Sequence, residues 1–195
     1  MTGLFSKVKK FVEESFRKCG FKEQIKHLER TVYWVKKLKP NADEAFLIAA
    51  FAHDIETAFA WKKLQKNYKP KFVDKSQLKK HQKEGAEIIG EFLKNQGANP
   101  EMVKRVKMLI SKHEEGGNED QTLLRDADSI SFFENNVGIF LKIAKKAGKE
   151  RVKQKFDWMY NRITSKKAKD IAKPWYWKAI SDLKKLNKNK MRNEK

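Results

Sequence analysis

Cysteine is almost absent: Cys19 stands alone in 195 residues. A single thiol excludes an internal disulfide framework and any cysteine-type zinc site, and it fits a reducing compartment. Arginine is also scarce, with seven against 38 lysines. The planar, bidentate groups that nucleic-acid readers favour are therefore missing as clusters. Only four prolines and nine glycines occur, and they fall between periodic segments, which predicts an all-α chain. No stretch approaches the roughly 20 apolar residues needed to span a bilayer. The start, with Lys7, Lys9 and Lys10, lacks the apolar core of a signal peptide. The expectation is a soluble, cytoplasmic protein.

What is present argues for one domain with a real core: the length, 39% hydrophobic content and thirteen phenylalanines. The formal net charge is +20, which raises the encounter rate and local concentration of anionic ligands. The lysines are spread along the chain, so the charge serves solubility equally well. It admits a nucleic-acid partner without establishing one.

The apolar pattern predicts helices in series. Leu4 to Cys19 is amphipathic, with Gly20 as its stop, and Gln24 to Leu38 carries the stripe Leu28, Val32, Val35, Leu38. A third helix, capped by Asn41 or Asp43, runs through Ala45–Ala52 to His53 and Asp54 and extends toward Trp61. Lys62 to Lys75 reads as a lysine-rich connection, a mobile loop or short helix. Ser76 is expected to cap a helix through Asn95, and Asn99-Pro100 opens one that ends at His113. Asp120 is expected to cap Gln121 to Glu134. From Gly138, two or three helices broken at Gly148 and Pro174 lead to a frayed tail, 187–195.

The third helix ends in the densest chemistry of the chain. Its apolar run is buried on most sides and closes on the adjacent His53 and Asp54, two polar groups that are costly to bury without partners. A divalent ion would satisfy both. The other histidines also face inward. His27 edges the second helix's stripe, His81 opens a face through Gly85, Ile88 and Phe92, and His113 continues the Val106, Ile110 row. In the run Arg125-Asp126-Ala127-Asp128, the two acids lie about 200° apart around a helix axis, so only one can face a buried site. Asp128 is the choice. Each histidine singly fits an ordinary core position, and each acid a helix cap. All of them together point to a metal site.

The order His27, His53-Asp54, Asp128 resembles the HD superfamily of metal-dependent phosphohydrolases. The stretches KHLERTVYWVKKL, IAAFAHDIE, HQKEGAEIIGEFLKNQG, VKRVKMLISKHEEGG and LLRDADSISFF carry the likeness over roughly 23–134. The resemblance implies a compact helical bundle with a core at 23–135, an N-terminal helix (1–22) packed on it and accessory helices at 136–186. It implies that His27, His53, Asp54 and Asp128 bind one divalent ion. His81 and His113 match the subset with a second ion, bridged by Asp54. A Gly-Tyr-Pro signature is missing, which excludes the cyclic-dinucleotide phosphodiesterases, and motifs of ppGpp or deoxynucleoside-triphosphate hydrolases are missing too.

The implied activity is hydrolysis of a nucleotide or small phosphate ester through a metal-activated water, with one or two ions of Mn, Mg, Fe, Co, Ni or Zn. Asp54 would act at the centre, and Glu56 as an acid/base or as an acceptor behind a ligand histidine. Arg30, Lys80, Lys112 and Arg125 lie near ligands in sequence and are weak candidates for holding phosphate; each also reads as a solvated charge. The Asp157–Tyr160 and Trp175–Trp177 clusters read as core rather than as base-stacking platforms. Two alternatives remain: an HD-type di-iron oxygenase, and a non-catalytic basic module that binds nucleic acid.

Overall fold

The computed structural model describes residues 3–66 and 73–186. Among them ten helices follow one another without a strand. They are α1 (Gly3–Cys19), α2 (Glu23–Leu38), α3 (Glu44–Ala52), α4 (Ile55–Lys66), α5 (Lys75–Asn95), α6 (Pro100–Ile110), α7 (Glu119–Asn135), α8 (Val137–Ala147), α9 (Lys149–Asn161) and α10 (Lys166–Lys185). The chain is all-α, as its sparse proline and glycine predicted.

The first core forms around α3. Ala45, Phe46 and Ile48 to Ala52 are all buried, with α1, α2 and α6 packed against them. Burying side chains such as Phe46, Ile48 and Phe51 contributes about 1.5–3 kcal/mol each. On α1, Phe5, Val8, Val12 and Phe16 form the inward stripe, and Gly20, at φ +86°, supplies the left-handed residue that ends it. A second core gathers Ile130, Phe132, Phe133, Val152, Phe156, Ala172 and Ile180. Helix α7 contributes to both cores, and Trp34 and Leu38 of α2 pack against both.

Several boundaries differ from expectation. The third helix stops at Ala52; His53 and Asp54 form a corner, and α4 restarts at Ile55. Successive helical residues point 100° apart, so an unbroken helix would swing one of the pair away from the other. Asp74, not Ser76, caps α5, accepting from the amides of Ser76 and Gln77. Asn118, not Asp120, caps α7 through a reciprocal box with Gln121; Asp120 instead pairs with Lys39 and Arg105. Asp43 and Asn99 cap α3 and α6 as read from sequence. Pro174 lies inside α10 rather than ending it. Its cost of about 3 kcal/mol is offset by burial of Ala168, Ala172, Ala179, Ile180 and Leu183 along the same helix. The break falls instead at Arg162–Ser165, where Asp126 accepts from the amides of Thr164 and Ser165. Of the expected 62–75 connection, α4 takes up residues to Lys66 and α5 starts at Lys75. Residues 67–72 and the tail 187–195 lie outside the described residues. No described helix is long and apolar enough to cross a membrane.

Candidate metal centre

Six segments of the first core bring their polar residues to one point. Helix α2 supplies Gln24 and His27, the α3–α4 corner His53 and Asp54, α4 Glu56, α5 His81, the turn after α6 His113 and Glu114, and α7 Asp128. Gly85 lets α5 close on the corner. A Cβ there would meet the His53 carbonyl at 3.3 Å, so a larger residue would push the helix and the corner apart.

The four imidazoles turn their Nε2 atoms inward. His27 and His53 Nε2 lie 3.3 Å apart and stand 3.8 and 3.4 Å from Asp54 Oδ2. On their other side Asp128 Oδ1 is 3.1 Å from His27 and 3.6 Å from His53. His81 and His113 Nε2 face the other Asp54 oxygen, Oδ1, at 3.1 and 3.7 Å. Asp54 thus divides its two oxygens between two histidine pairs. His27, His53 and Asp54 form one group that could hold a metal ion, and Asp54, His81 and His113 another.

The remaining ring nitrogens fix orientation. His53 Nδ1 is 3.0 Å from the Ala50 carbonyl and His113 Nδ1 2.8 Å from that of Ile110. His81 Nδ1 is 2.7 Å from Glu56 Oε2. These acceptors hold the proton on Nδ1 and leave the Nε2 lone pair free, the arrangement of a histidine that ligates a metal. The His113 Nε2 is buried with no hydrogen-bond partner, so the donor set fits a cation. His27 differs: its Nδ1 is the buried atom without a partner. Gln24 donates to Asp54 Oδ2 at 2.6 Å and receives from Asn136.

The charges are arranged to hold positive charge on two of the rings, His53 and His81. Burial opposes ionisation of Asp54 and Asp128, yet His53 beside the first and Arg162 beside the second hold both carboxyls well below their usual range. Burial likewise disfavours imidazolium, but Asp54 carries His53 well above its ordinary value, and Asp54 with Glu56 carries His81 to about 10. The same carboxylates would favour a cation between these rings.

A second layer comes from beyond α8. Arg162, at the end of α9, donates to both Asp128 and Glu114 and, at 2.8 Å, to Ser129. Against burial, Arg162 and then Lys155 hold Glu114 below its ordinary range. Burial pushes the Lys155 ammonium down, although Glu114 opposes the shift.

All six residues expected to ligate metal are brought together. Glu56 sits behind His81. The four expected phosphate cations are engaged elsewhere: Arg30 with Glu134, Lys80 with Glu84, Lys112 with Glu115, and Arg125 with the Glu115 carbonyl, Asp126 and Thr164. Sequence reasoning missed Gln24, Glu114, Lys155 and Arg162. Gln24 sits one turn before His27, and Glu114 adjoins His113, so both carried a positional signal. Lys155 and Arg162, seven apart on one helical face, carried only that spacing. Two surface hollows, one by Lys94 and Lys107 and one by Thr122 and Thr164, include none of the histidines.

Comparison with curated proteins and with solved structures finds no match in either. A family model does match, over residues 10–176, a span that takes in every residue of the cluster. The chain belongs to the family described as Domain of unknown function (DUF4202).

Proposed function

We propose that this chain is an HD-type, divalent-metal-dependent phosphohydrolase acting on a nucleotide or small phosphate ester. The observation that carries the reading is Asp54, whose two oxygens face two separate histidine pairs. His27, His53, Asp54 and Asp128 would hold one ion; Asp54, His81 and His113 would hold a second. Nitrogen and carboxylate ligands accept Mn, Mg, Fe, Co, Ni or Zn. Such ions lower the pKa of water and neutralise phosphate oxygens, the two things phosphoryl transfer asks of a site.

The chain's own groups supply position. Gln24 fixes the rotation of the Asp54 carboxylate, Glu56 keeps the His81 proton on Nδ1, and Arg162 anchors Asp128. Side-chain exposure of 19% at Asp54 and 17% at His81, against 0% at His53 and His113, marks the edge from which a substrate would approach. The single cysteine supports a reducing, cytoplasmic setting.

The test is phosphate release across nucleotides and phosphomonoesters, with Mn²⁺, Mg²⁺, Co²⁺ or chelator, comparing the native chain with Asp54→Ala. Release should require metal and vanish in the variant. Release that survives both chelation and the substitution would overturn the reading. Two histidine pairs around one carboxylate also suit two irons, so an HD-type di-iron oxygenase is the second reading. Visible absorption of the iron-loaded protein and oxygen uptake without phosphate release would favour it.

A further inference from the structure

A phosphohydrolase gains from a cation free to take the substrate's charge; of the candidates offered by sequence spacing, Arg30 and Arg125 are bonded to other partners, and Lys80 and Lys112 lie in exposed surface ion pairs. Lys155 is different. Among the described residues its ammonium makes no hydrogen bond or ion pair, although the side chain is half-buried. Its Nζ sits 4.4 Å from the ring centre of Trp158 and 5.7 Å from that of Phe132. The same Trp158 ring carries the Arg162 guanidinium at 4.4 Å, and Arg162 is bonded to Asp128 and Glu114. Phe132 is one turn beyond Asp128 on α7. Lys155 is therefore fixed at the rim of the centre, on aromatic faces that compensate a buried ammonium only in part.

We infer that Lys155 is the anion-binding residue of this centre and that it selects phosphate monoester dianions over diesters. The inference rests on the phosphohydrolase reading and names its substrate class. Asp54, Glu56, Glu114 and Asp128 carry as many negative charges as two divalent ions carry positive ones. Counted with any water on those ions still neutral, Arg162 and Lys155 then remain as an excess of two positive charges. A monoester, with a second pKa of about 6, brings two negative charges at neutral pH. A diester brings one and leaves a cation unmatched in a partly desolvated site. Arg162 is already spent on Asp128 and Glu114, so among the described residues the group left to reach the incoming anion is Lys155.

The experiment is calorimetric titration of the Mn²⁺-loaded protein, at about pH 8 where phosphate is a dianion, with inorganic phosphate, methyl phosphate and dimethyl phosphate. The native chain should bind the first two and discriminate against the third. Lys155→Met should take up the same Mn²⁺ yet bind inorganic phosphate roughly 10- to 100-fold more weakly, as expected for loss of a charged hydrogen bond. Lys155→Arg should recover most of the loss. Equal binding of phosphate by Lys155→Met, or of monoester and diester by the native chain, overturns the inference. If Lys155→Met failed to fold, the Arg variant and the ester comparison would still decide. Metal-dependent hydrolysis indifferent to Lys155 would leave the phosphohydrolase standing without this inference. Lysine-dependent phosphate binding without turnover of any ester would do the reverse. A native chain that takes up no metal would sink both.

Discussion

Two acids two residues apart on α7 are given opposite tasks, and substitution separates them. Asp126 is 1% exposed and accepts from Arg125 and from the amides of Thr164 and Ser165. Asp126→Ala takes the acceptor from the amides of two exposed residues, which water can then reach, at about 0.5–1.5 kcal/mol each. Arg125 keeps its bonds to the Glu115 carbonyl and to Thr164, so its loss is smaller. Alanine returns at most about 0.7 kcal/mol of helix propensity. The net cost is about 1–3 kcal/mol, which in a chain of this length lowers the melting temperature by about 2–12 °C. Asp128→Ala removes a carboxylate 3.1 Å from His27 and should abolish the rise in melting temperature that metal gives. That rise is about 5–11 °C in the native chain at a hundredfold excess over Kd. Calorimetric melts of both variants, with chelator and with Mn²⁺, make the comparison. Asp126→Ala should melt early yet keep the metal increment. An Asp126→Ala protein as stable as the native chain, or an Asp128→Ala protein with the full increment, would refute the division of labour.

Metal uptake should release protons at about pH 8, because His81 titrates near 10 without an ion and must lose its proton to ligate; calorimetry in buffers of different ionisation enthalpy counts them. The sign for folding follows from the same raised value. In the metal-free protein the His81 contribution is complete below the ordinary imidazole range, near 6.5, and is lost as pH rises through about 10; chelated melts should fall over that window. Glu56→Gln should weaken the ion at Asp54, His81 and His113 by about 10- to 100-fold, leaving the other ion in place, as metal stoichiometry at limiting concentration would reveal. Gly85→Val should cost about 1–3 kcal/mol by overpacking against the His53 carbonyl, 3.3 Å from the position of a Cβ; an unchanged melt would mean that the corner yields freely.

Much of this site was legible because helical periodicity is local. His81 and His113 announce their direction through Gly85 and Ile110, one turn away. The angle between Asp126 and Asp128 sorts them without any knowledge of the partner. The corner at His53 was not legible, since an unbroken apolar run gives no stop signal, and α3 ends for the sake of where its last polar pair must point. Of the two caps that differ, Asp74 takes α5 from two residues before Ser76, a local contest between two capping residues, whereas Asp120 is claimed from a distance by Lys39 and Arg105. Arg162 reaches Asp128 across 34 residues of chain. Nothing in the spacing of either segment encodes that meeting, and among so many lysines Lys155 had no mark of its own.

Arg162 also ties the two cores to each other. Its guanidinium stands at the end of α9, whose Val152, Phe156 and Met159 belong to the second core, and it bridges Asp128 on α7 and Glu114 after α6. Without it those two carboxylates would face each other with their repulsion unrelieved. Loosening of the C-terminal helices would therefore reach the histidine cluster first as unpaired charge, and the second core acts as its counterweight.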